Sequence, residues 1–395
     1  MKPNKIWIVP VILLATLAVL LWPYFSGVQL PESNAIAFGS ETARAEVVAV
    51  IEEGTIDLGG HVQPYQVVRV KLLEGEYESI QMEIDYGRRQ VRQDDYLLRP
   101  GDRVLVTVSK TPENVVNAYF VDHVRSASLL WLLGIFAAAI LLISRWKGLR
   151  SLLSMAFSLF VIIGYIIPHI LAGEDPLTVS IIGSAILLAV TLYLTYGWNL
   201  KTHAAVASMI LSLLLTGALA AVFVVFARLN GSGDENSMFL VQSLAASINL
   251  RGLLLGGMII GALGVLDDLV TTQASAVFEL HAANPDLGLR GLFRSAMRIG
   301  QDHVAATVNT LVLAYAGAAL PMLLLFSLAR GDYGNLVNFA FVAEEIVRTL
   351  VGSLGLIAAV PLTTAIAAGL ALNGHRLGAW GAVLGPQSGG EGHHH

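Results

Sequence analysis

The amino-acid sequence predicts a mainly α-helical polytopic membrane protein, with a small β-barrel or OB-like domain inserted between its first and second transmembrane helices. The chain has 395 residues, of which 55% are hydrophobic and only 13% are charged. This composition is typical of membrane proteins with several spans and not of water-soluble domains. Long uncharged runs fill most of the sequence, whereas residues 40–125 show the alternating, β-branched pattern of short strands.

Composition also excludes several classes of function. The chain contains no cysteine, which rules out disulfides, thiol catalysis and cysteine-ligated metals. The net charge of -5 gives no indication of nucleic-acid binding. Residues 385–395, GPQSGGEGHHH, have the composition of a tag or linker left from expression, so they are set aside in the search for metal ligands.

Residues 1–26 are predicted to form a signal-anchor transmembrane helix. An apolar run from Ile6 to Phe25 has the length of about 20 residues that spans a bilayer. The alternative is a cleavable signal peptide, since Ala35-Ile36-Ala37 has the form of a cleavage site. That triplet lies too far beyond the apolar run for the usual layout, which favours an uncleaved anchor. Lys2 and Lys5 place the N-terminus in the cytoplasm.

Residues 40–125 are predicted to form a β-rich domain outside the cytoplasm. Turn signals at Gly59-Gly60 and at 99–102 separate the strand-like runs, and this spacing suggests a small barrel or sandwich. A scaffold or a lid is the simplest role, because an OB-like shape alone does not indicate a ligand. The predicted strands are 45–50, 66–70, 79–84 and 103–108.

Residues 127–372 are predicted to form a seven-helix membrane domain, which makes about eight spans in total. Basic residues flank each predicted inner end, so both termini should lie in the cytoplasm of a bacterial cell and the spans in its plasma (inner) membrane. The expected spans are 127–144, 152–172, 177–198, 204–226, 252–275, 302–328 and 346–372.

The sixth predicted span carries two adjacent carboxylates, Asp267 and Asp268, before its apolar run ends. Charge at membrane depth is costly, so it indicates a functional site. Gly257 and Gly261 precede the pair with the GxxxG spacing that allows a neighbouring helix to approach closely. Polar side chains follow it at Thr271, Thr272, Gln273 and Ser275.

Two later helices carry further polar side chains. On the first, three residues share one helical face and two share an adjacent face. On the second, two acids lie one turn from an arginine, and a proline frees a backbone carbonyl at membrane depth. The residues are His303, Thr307 and Thr310, then Asp302 and Asn309, then Glu344, Glu345 and Arg348, and finally Pro361 with Thr363 and Thr364.

A structural interpretation stands beside each of these assignments. The Asp pair could end its helix at the inner headgroup level, and Asp302 with His303 could begin a helix at an interface. Glu344, Glu345 and Arg348 could form a salt bridge at the outer interface. The threonine hydroxyls could bond only to neighbouring helices or to carbonyls four residues earlier in their own helix.

The chemistry that this set of residues suits is ion handling. Two adjacent carboxylates in a low dielectric resist double ionisation, so one of them can load and release a proton near neutral pH. Alternatively, both stay ionised around a monovalent or divalent cation, with Thr271, Thr272, Thr307 and Asn309 completing an oxygen shell. Histidine is the side chain whose unperturbed pKa already lies near neutrality, so His303 could relay protons.

At these residues the chain resembles the YibE/F-like family of bacterial multi-pass membrane proteins. The resemblance rests on GALGVLDDLVTTQASAVFEL, GQDHVAATVNTLVLAYAGAALP and EEIVRTLVGSLGLIAAVPLTT, and it extends over about residues 127–371 and the β-rich domain. It implies the topology more than an activity, with transport as the usual expectation. Separately, GVLDDLVTTQASAVFE is similar to the Asp-Asp helix of RND-type exporters, although the lysine of that pattern has no counterpart in the late spans.

Three functions compete on this evidence. The leading hypothesis is an ion- or proton-coupled transporter, most simply an exporter, with a small solute or ion as its cargo. The second is a non-catalytic assembly or sensor protein whose β domain binds a partner. The third is an intramembrane hydrolase, which is disfavoured because adjacent aspartates diverge by about 100° on a helix. No cofactor beyond a bound proton or cation is predicted. The expected partners are the lipid bilayer and, in a homo-oligomer, a second copy of the chain.

Overall fold

The computed structural model describes residues 42–89, 96–110, 116–233, 235–243, 248–328 and 333–374, together with Leu384 and Pro386. The predicted anchor at 1–26 lies outside these residues, as does the predicted tag at 385–395 apart from Pro386. The chain forms two compact units, residues 32–143 and residues 144–395 with 1–31, and each is described by itself.

The first unit is built on five antiparallel strands in the order β3-β2-β1-β4-β5. Tyr86 on β3 packs edge-on against Phe120 on β5, with ring centroids 4.6 Å apart, so the two outer strands approach each other and the sheet is a nearly closed barrel. The predicted β-barrel is therefore confirmed. The strands are β1 (Thr42–Asp57), β2 (Val62–Leu72), β3 (Gln81–Tyr86), β4 (Arg103–Lys110) and β5 (Val116–His123).

Alternation along the strands builds the barrel core. On β1, Ala43, Ala45 and Val47 are buried while the residues between them are more exposed, as the two-residue period of a strand requires. The predicted turn at Gly59-Gly60 joins β1 to β2, and both glycines have positive φ, a backbone conformation that glycine adopts most readily. The fifth strand, β5, was not predicted from the sequence.

The helical elements are mostly long. In chain order they are α1 (Ser126–Val161), a π-helical turn (Ile162–Ile166), α2 (Ile167–Leu171), α3 (Pro176–Tyr196), α4 (Leu200–Phe226), α5 (Glu235–Ser243), α6 (Leu250–Ala283), α7 (Leu289–Ala318), α8 (Leu320–Leu328), α9 (Tyr333–Leu336) and α10 (Ala340–Asn373).

Within the described residues, five helical runs are long and apolar enough to cross a membrane, judged by length and composition. They are Ser126–Leu171, α3, α4, α6 and α10. The first contains two predicted spans, 127–144 and 152–172, and its helix breaks at Arg145, where φ is 48° and ψ is -125°. The span predicted over 302–328 is divided between α7 and α8 and is not among the five. The count of about eight spans stays a prediction.

Close approach of helix backbones in the second unit depends on a few glycines. A Cβ added to Gly355 on α10 would overlap the hydroxyl of Thr216 on α4, and one added to Gly256 on α6 would overlap Ser180 on α3. The buried apolar residues include many alanines, such as Ala204, Ala274 and Ala367. Helices α4, α6 and α10 therefore pack through small side chains, a feature typical of helix contacts in membrane proteins.

Candidate functional site around the aspartate pair

Helix α6 continues well beyond the aspartate pair. It begins after Asn249, whose side chain accepts a hydrogen bond from the Gly252 amide at 3.0 Å, and it runs for 34 residues to Ala283. Asp267 and Asp268 thus lie near its middle. The pair therefore does not end the helix, contrary to that part of the structural interpretation.

Helix α3 gives a measure of how far along α6 the pair lies. At one end, Asn249 at the start of α6 donates to Asp175 at the start of α3 over 3.2 Å. At the other end, the Tyr196 hydroxyl of α3 lies 3.3 Å from the Thr271 hydroxyl of α6. The 21 residues of α3 rise about 31 Å, close to the roughly 30 Å of a hydrocarbon core. Asp267 and Asp268 fall about one helical turn inside the end that Tyr196 marks.

The two carboxylates have no direct partners in the described part of the chain. Asp267 is partly buried and Asp268 is exposed, and neither carboxylate forms a hydrogen bond or an ion pair with a described residue. Thr271 is buried, and its hydroxyl donates to the Asp267 carbonyl at 2.8 Å. The carboxylates are therefore free to take up a proton or a cation without first breaking a contact.

Thr272 and Gln273 occupy contrasting environments. Thr272 is exposed, on the same side of α6 as Asp268. Gln273 is only 1% exposed, and its Nε2 donates to the Ala296 carbonyl of α7 at 3.0 Å and to the Thr364 hydroxyl of α10 at 2.7 Å. Gln273 therefore ties three helices together. Its amide serves this junction, and the prediction that it binds an ion gains no support from its contacts.

The same junction fixes the height of α7 relative to the aspartates. Helices α6 and α7 are antiparallel, and Gln273 on α6 lies level with Ala296 on α7. Asp268 is five residues before Gln273, so it lies level with residue 301, which is five residues after Ala296. Asp302 and His303 are accordingly at about the level of the pair. Asp302 is exposed and His303 is partly buried, and His303 makes no hydrogen bond with either aspartate.

The remaining polar residues of α7 bond within their own helix or are exposed. The Thr307 hydroxyl donates to the His303 carbonyl at 2.8 Å, and the Thr310 hydroxyl donates to the Ala306 carbonyl at 3.0 Å. Asn309 is exposed. Among the described residues, no three histidine, aspartate or glutamate side chains are grouped as a metal site. The oxygen shell from two helices stays a prediction.

Glu344, Glu345 and Arg348 form a separate polar region on α10. Arg348 Nη1 pairs with Glu345 at 2.9 Å. Glu344 is only 5% exposed, and its Oε1 accepts hydrogen bonds from the amides of Gly231 at 3.0 Å and Gly233 at 3.3 Å. The predicted salt bridge is therefore present for Glu345, whereas Glu344 anchors the loop that follows α4.

The predicted GxxxG pair and the predicted helix proline have different environments. A Cβ added to Gly257 or Gly261 would have no neighbour within 4 Å among the described atoms, so this GxxxG pair has no described partner, and the close contact is made by Gly256. Pro361 lies inside α10, as predicted. Thr363 beside it is fully buried, and its hydroxyl has no hydrogen-bond partner among the described residues.

Two further residues contribute to this region and were not predicted from the sequence. Tyr196 contacts the site from α3, and its position directly before Gly197, where α3 ends, is the only local signal for it. Gly300 of α7 leaves space for Gln273, since an added Cβ would lie 2.8 Å from the Gln273 Oε1 and would overlap Val360. Both depend on which helices become neighbours, which the sequence pattern does not reveal.

Taken together, the apolar helices and a carboxylate pair inside one of them define the class of multi-span, membrane-type helical proteins with an internal acidic site. A family model described as YibE/F-like protein matches residues 132–373, which include the five helical runs named above as possible spans in whole or in large part. The chain belongs to this family. The barrel strands lie outside the matched residues, and no curated protein and no solved structure matches the chain.

Proposed function

We propose that this protein is an ion- or proton-coupled membrane transporter, with export as the direction, and that Asp267 and Asp268 bind the coupling ion. The observation that carries the proposal is a pair of carboxylates, without partners among the described residues, in the middle of a helix long and apolar enough to span a bilayer. Ionisable residues in such helices occur mainly in ion pathways and proton relays. Structural needs of the described fold do not account for the pair.

Nearby groups suit the same role. Thr271 and Tyr196 provide hydroxyls next to the pair, with Tyr196 and Thr271 3.3 Å apart. His303 lies at a similar height on α7 and would act as a relay after a small helix movement. Pro361 on α10 and the glycines of α6 would permit that movement. In this proposal both termini are cytoplasmic, about eight helices cross the bacterial inner membrane, and the barrel is extracytoplasmic.

The proposal is tested with the full chain in liposomes that contain a pH-sensitive dye. A proton gradient is imposed alone and then against opposing gradients of Na⁺, K⁺, Mg²⁺ or Ca²⁺, with the membrane potential clamped. We expect ion flux above that of protein-free vesicles, and we expect D267N/D268N to abolish it. Because neither carboxylate has a partner among the described residues, the amides should leave the unfolding transition unchanged.

Glu279→Gln is the matched control, since it makes the same chemical change on an exposed residue of the same helix. It should retain full flux. Absence of flux in the wild-type protein under every gradient, or equal flux in wild type and D267N/D268N, would refute the assignment. Full function in cells with both aspartates neutralised would favour the assembly or sensor hypothesis instead.

A further inference from the structure

An apolar groove lies on the helical unit between α3, α4 and α6, at the end remote from the turn that joins α3 to α4. Its volume is about 310 Å³, at the lower limit of the roughly 300–1,000 Å³ typical of small-ligand sites. No ionisable side chain lines it. Its walls include Leu177 and Leu188 of α3, Leu213 and Ala221 of α4, and Leu255 and Ile259 of α6.

The groove is open on the side facing away from the helical unit. Ile181 on α3 and Ile210 and Leu214 on α4 form its rim, and they are 51%, 49% and 66% exposed. All three lining helices are long and apolar enough to cross a membrane. In a bilayer the medium around this rim is hydrocarbon, so the molecules that can reach the groove are those dissolved among lipid chains.

Small residues such as Gly217 create the space of the groove, although the neighbouring helices leave room for a larger side chain there. A Cβ added to Gly217 would lie 3.9 Å from Ile259, an ordinary contact distance. Glycine inside a helix nevertheless costs stability relative to alanine. The chain therefore leaves open a space that a side chain could have filled at a gain in stability.

From these features we infer that the groove is a binding site for a single hydrocarbon chain of a bilayer lipid. The lining is uncharged, and it is apolar apart from Ser184, whose buried hydroxyl has no hydrogen-bond partner among the described residues. It therefore suits an acyl chain and not an ionic solute. The site is distinct from the aspartate pair, because its α6 residues, Leu255 and Ile259, precede Asp267 by eight residues or more. It does not depend on the transport proposal.

The test uses the full chain in detergent micelles, titrated with a phosphatidylcholine that carries a diazirine in the middle of one acyl chain. After illumination, labelled peptides are identified by mass spectrometry. We expect labelling of the α3 and α4 peptides that line the groove to saturate at one lipid per chain. Helix α1 gives the level of non-specific labelling, since its apolar stretch has no buried residue. Its labelling should rise without a plateau.

Gly217→Leu fills the groove and should reduce the saturable labelling at least about fivefold, because the added side chain takes the volume of the ligand. Gly257→Leu makes the same substitution on α6 where nothing lies within 4 Å, and it should label like wild type. Gly217→Ala, which fits without a clash, should give a smaller reduction and serves if the leucine variant fails to fold. Labelling without a plateau, or equal labelling in the Gly217 variants and Gly257→Leu, would overturn the inference.

Discussion

Two acidic regions of the helical unit differ in how the surrounding structure treats them. Glu344 on α10 is almost completely buried, and the amides of Gly231 and Gly233 bind its carboxylate. Asp267 on α6 is partly buried next to Asp268, and no described residue forms a hydrogen bond or an ion pair with either carboxylate. Both acids lie on helices that could cross a membrane.

The difference separates a structural acid from a candidate functional one. A buried carboxylate that accepts backbone hydrogen bonds repays part of its desolvation cost and fixes a loop. A carboxylate in an apolar helix without partners has the desolvation cost but gains no hydrogen bonds to offset it. Glu344 is therefore explained by the architecture, whereas the aspartate pair needs an explanation outside the stability of the fold.

The largest effect that follows from this comparison is expected for Glu344→Ala. The substitution leaves two amides without their acceptor, so we expect the free energy of unfolding to fall by about 2–4 kcal/mol. Thermal or denaturant unfolding in detergent measures it. Glu344→Gln keeps a carbonyl oxygen at the same place and should recover most of the loss.

Asp267→Ala, measured in the same unfolding experiment, should not lower the free energy of unfolding. It removes a carboxylate that has no described partner, so the free energy of unfolding should stay the same or rise. Equal losses in Glu344→Ala and Asp267→Ala would show that both acids are structural, and the distinction between the two regions would then fail.

The sequence predicted those parts of the fold that depend on local pattern. Period-two alternation located four strands, and the glycine turn at residues 59 and 60 was found because positive φ favours that residue. The fifth strand, Val116–His123, was missed although Tyr119, Phe120 and Val121 are strand formers. The interruption near Arg145 was foreseen through its basic neighbours, which stop a span, and the helix does break there.

The candidate site was predicted only as far as residues close in sequence determine it. The Asp pair and the Thr271 hydroxyl beside it are one turn apart, so helical spacing alone brings them together. The alternative interpretation of Thr307 and Thr310, bonding to carbonyls four residues earlier, is confirmed. The bonds of Gln273 and Glu344 could not be foreseen, because they join helices separated by many residues and depend on tertiary packing.

An intermediate effect is expected when either of two adjacent glycines of α6 is replaced by alanine. The two variants show which face of α6 packs against another helix. An added Cβ at Gly256 would overlap Ser180 and lie 3.1 Å from the Pro176 carbonyl, whereas at Gly257 it would meet nothing within 4 Å. Gly256→Ala should therefore lower the free energy of unfolding by about 1–3 kcal/mol. Gly257→Ala should raise it by about 0.5–1 kcal/mol, the helix-propensity difference.

The two alanine variants differ by one position in the same helix, so each controls for the other. A loss of stability in Gly257→Ala equal to that in Gly256→Ala would mean that another helix covers the Gly257 and Gly261 face. A second copy of the chain would then be the first candidate, and chemical cross-linking in the membrane would detect it. Asp268, which is exposed like Gly257, would in that case be covered as well.

The smallest effect is expected for the ion pair of Glu345 and Arg348. Glu345 is next to Glu344 in the sequence but is more exposed, so it tests how much burial matters to the contribution of an acid. The pair is three residues apart on α10, and its side chains are 31% and 39% exposed. Such pairs contribute only about 0.3–0.5 kcal/mol, so Glu345→Gln should scarcely change unfolding. A double-mutant cycle of Glu345→Gln with Arg348→Gln isolates the pair, and raising the salt concentration to about 1 M should remove its coupling energy because screening then acts within roughly 3 Å. A coupling energy above about 1.5 kcal/mol that persists at high salt would show that this region excludes solvent. Glu345 and the aspartates would then share low-dielectric surroundings, and they would differ in whether a described residue bonds to the carboxylate.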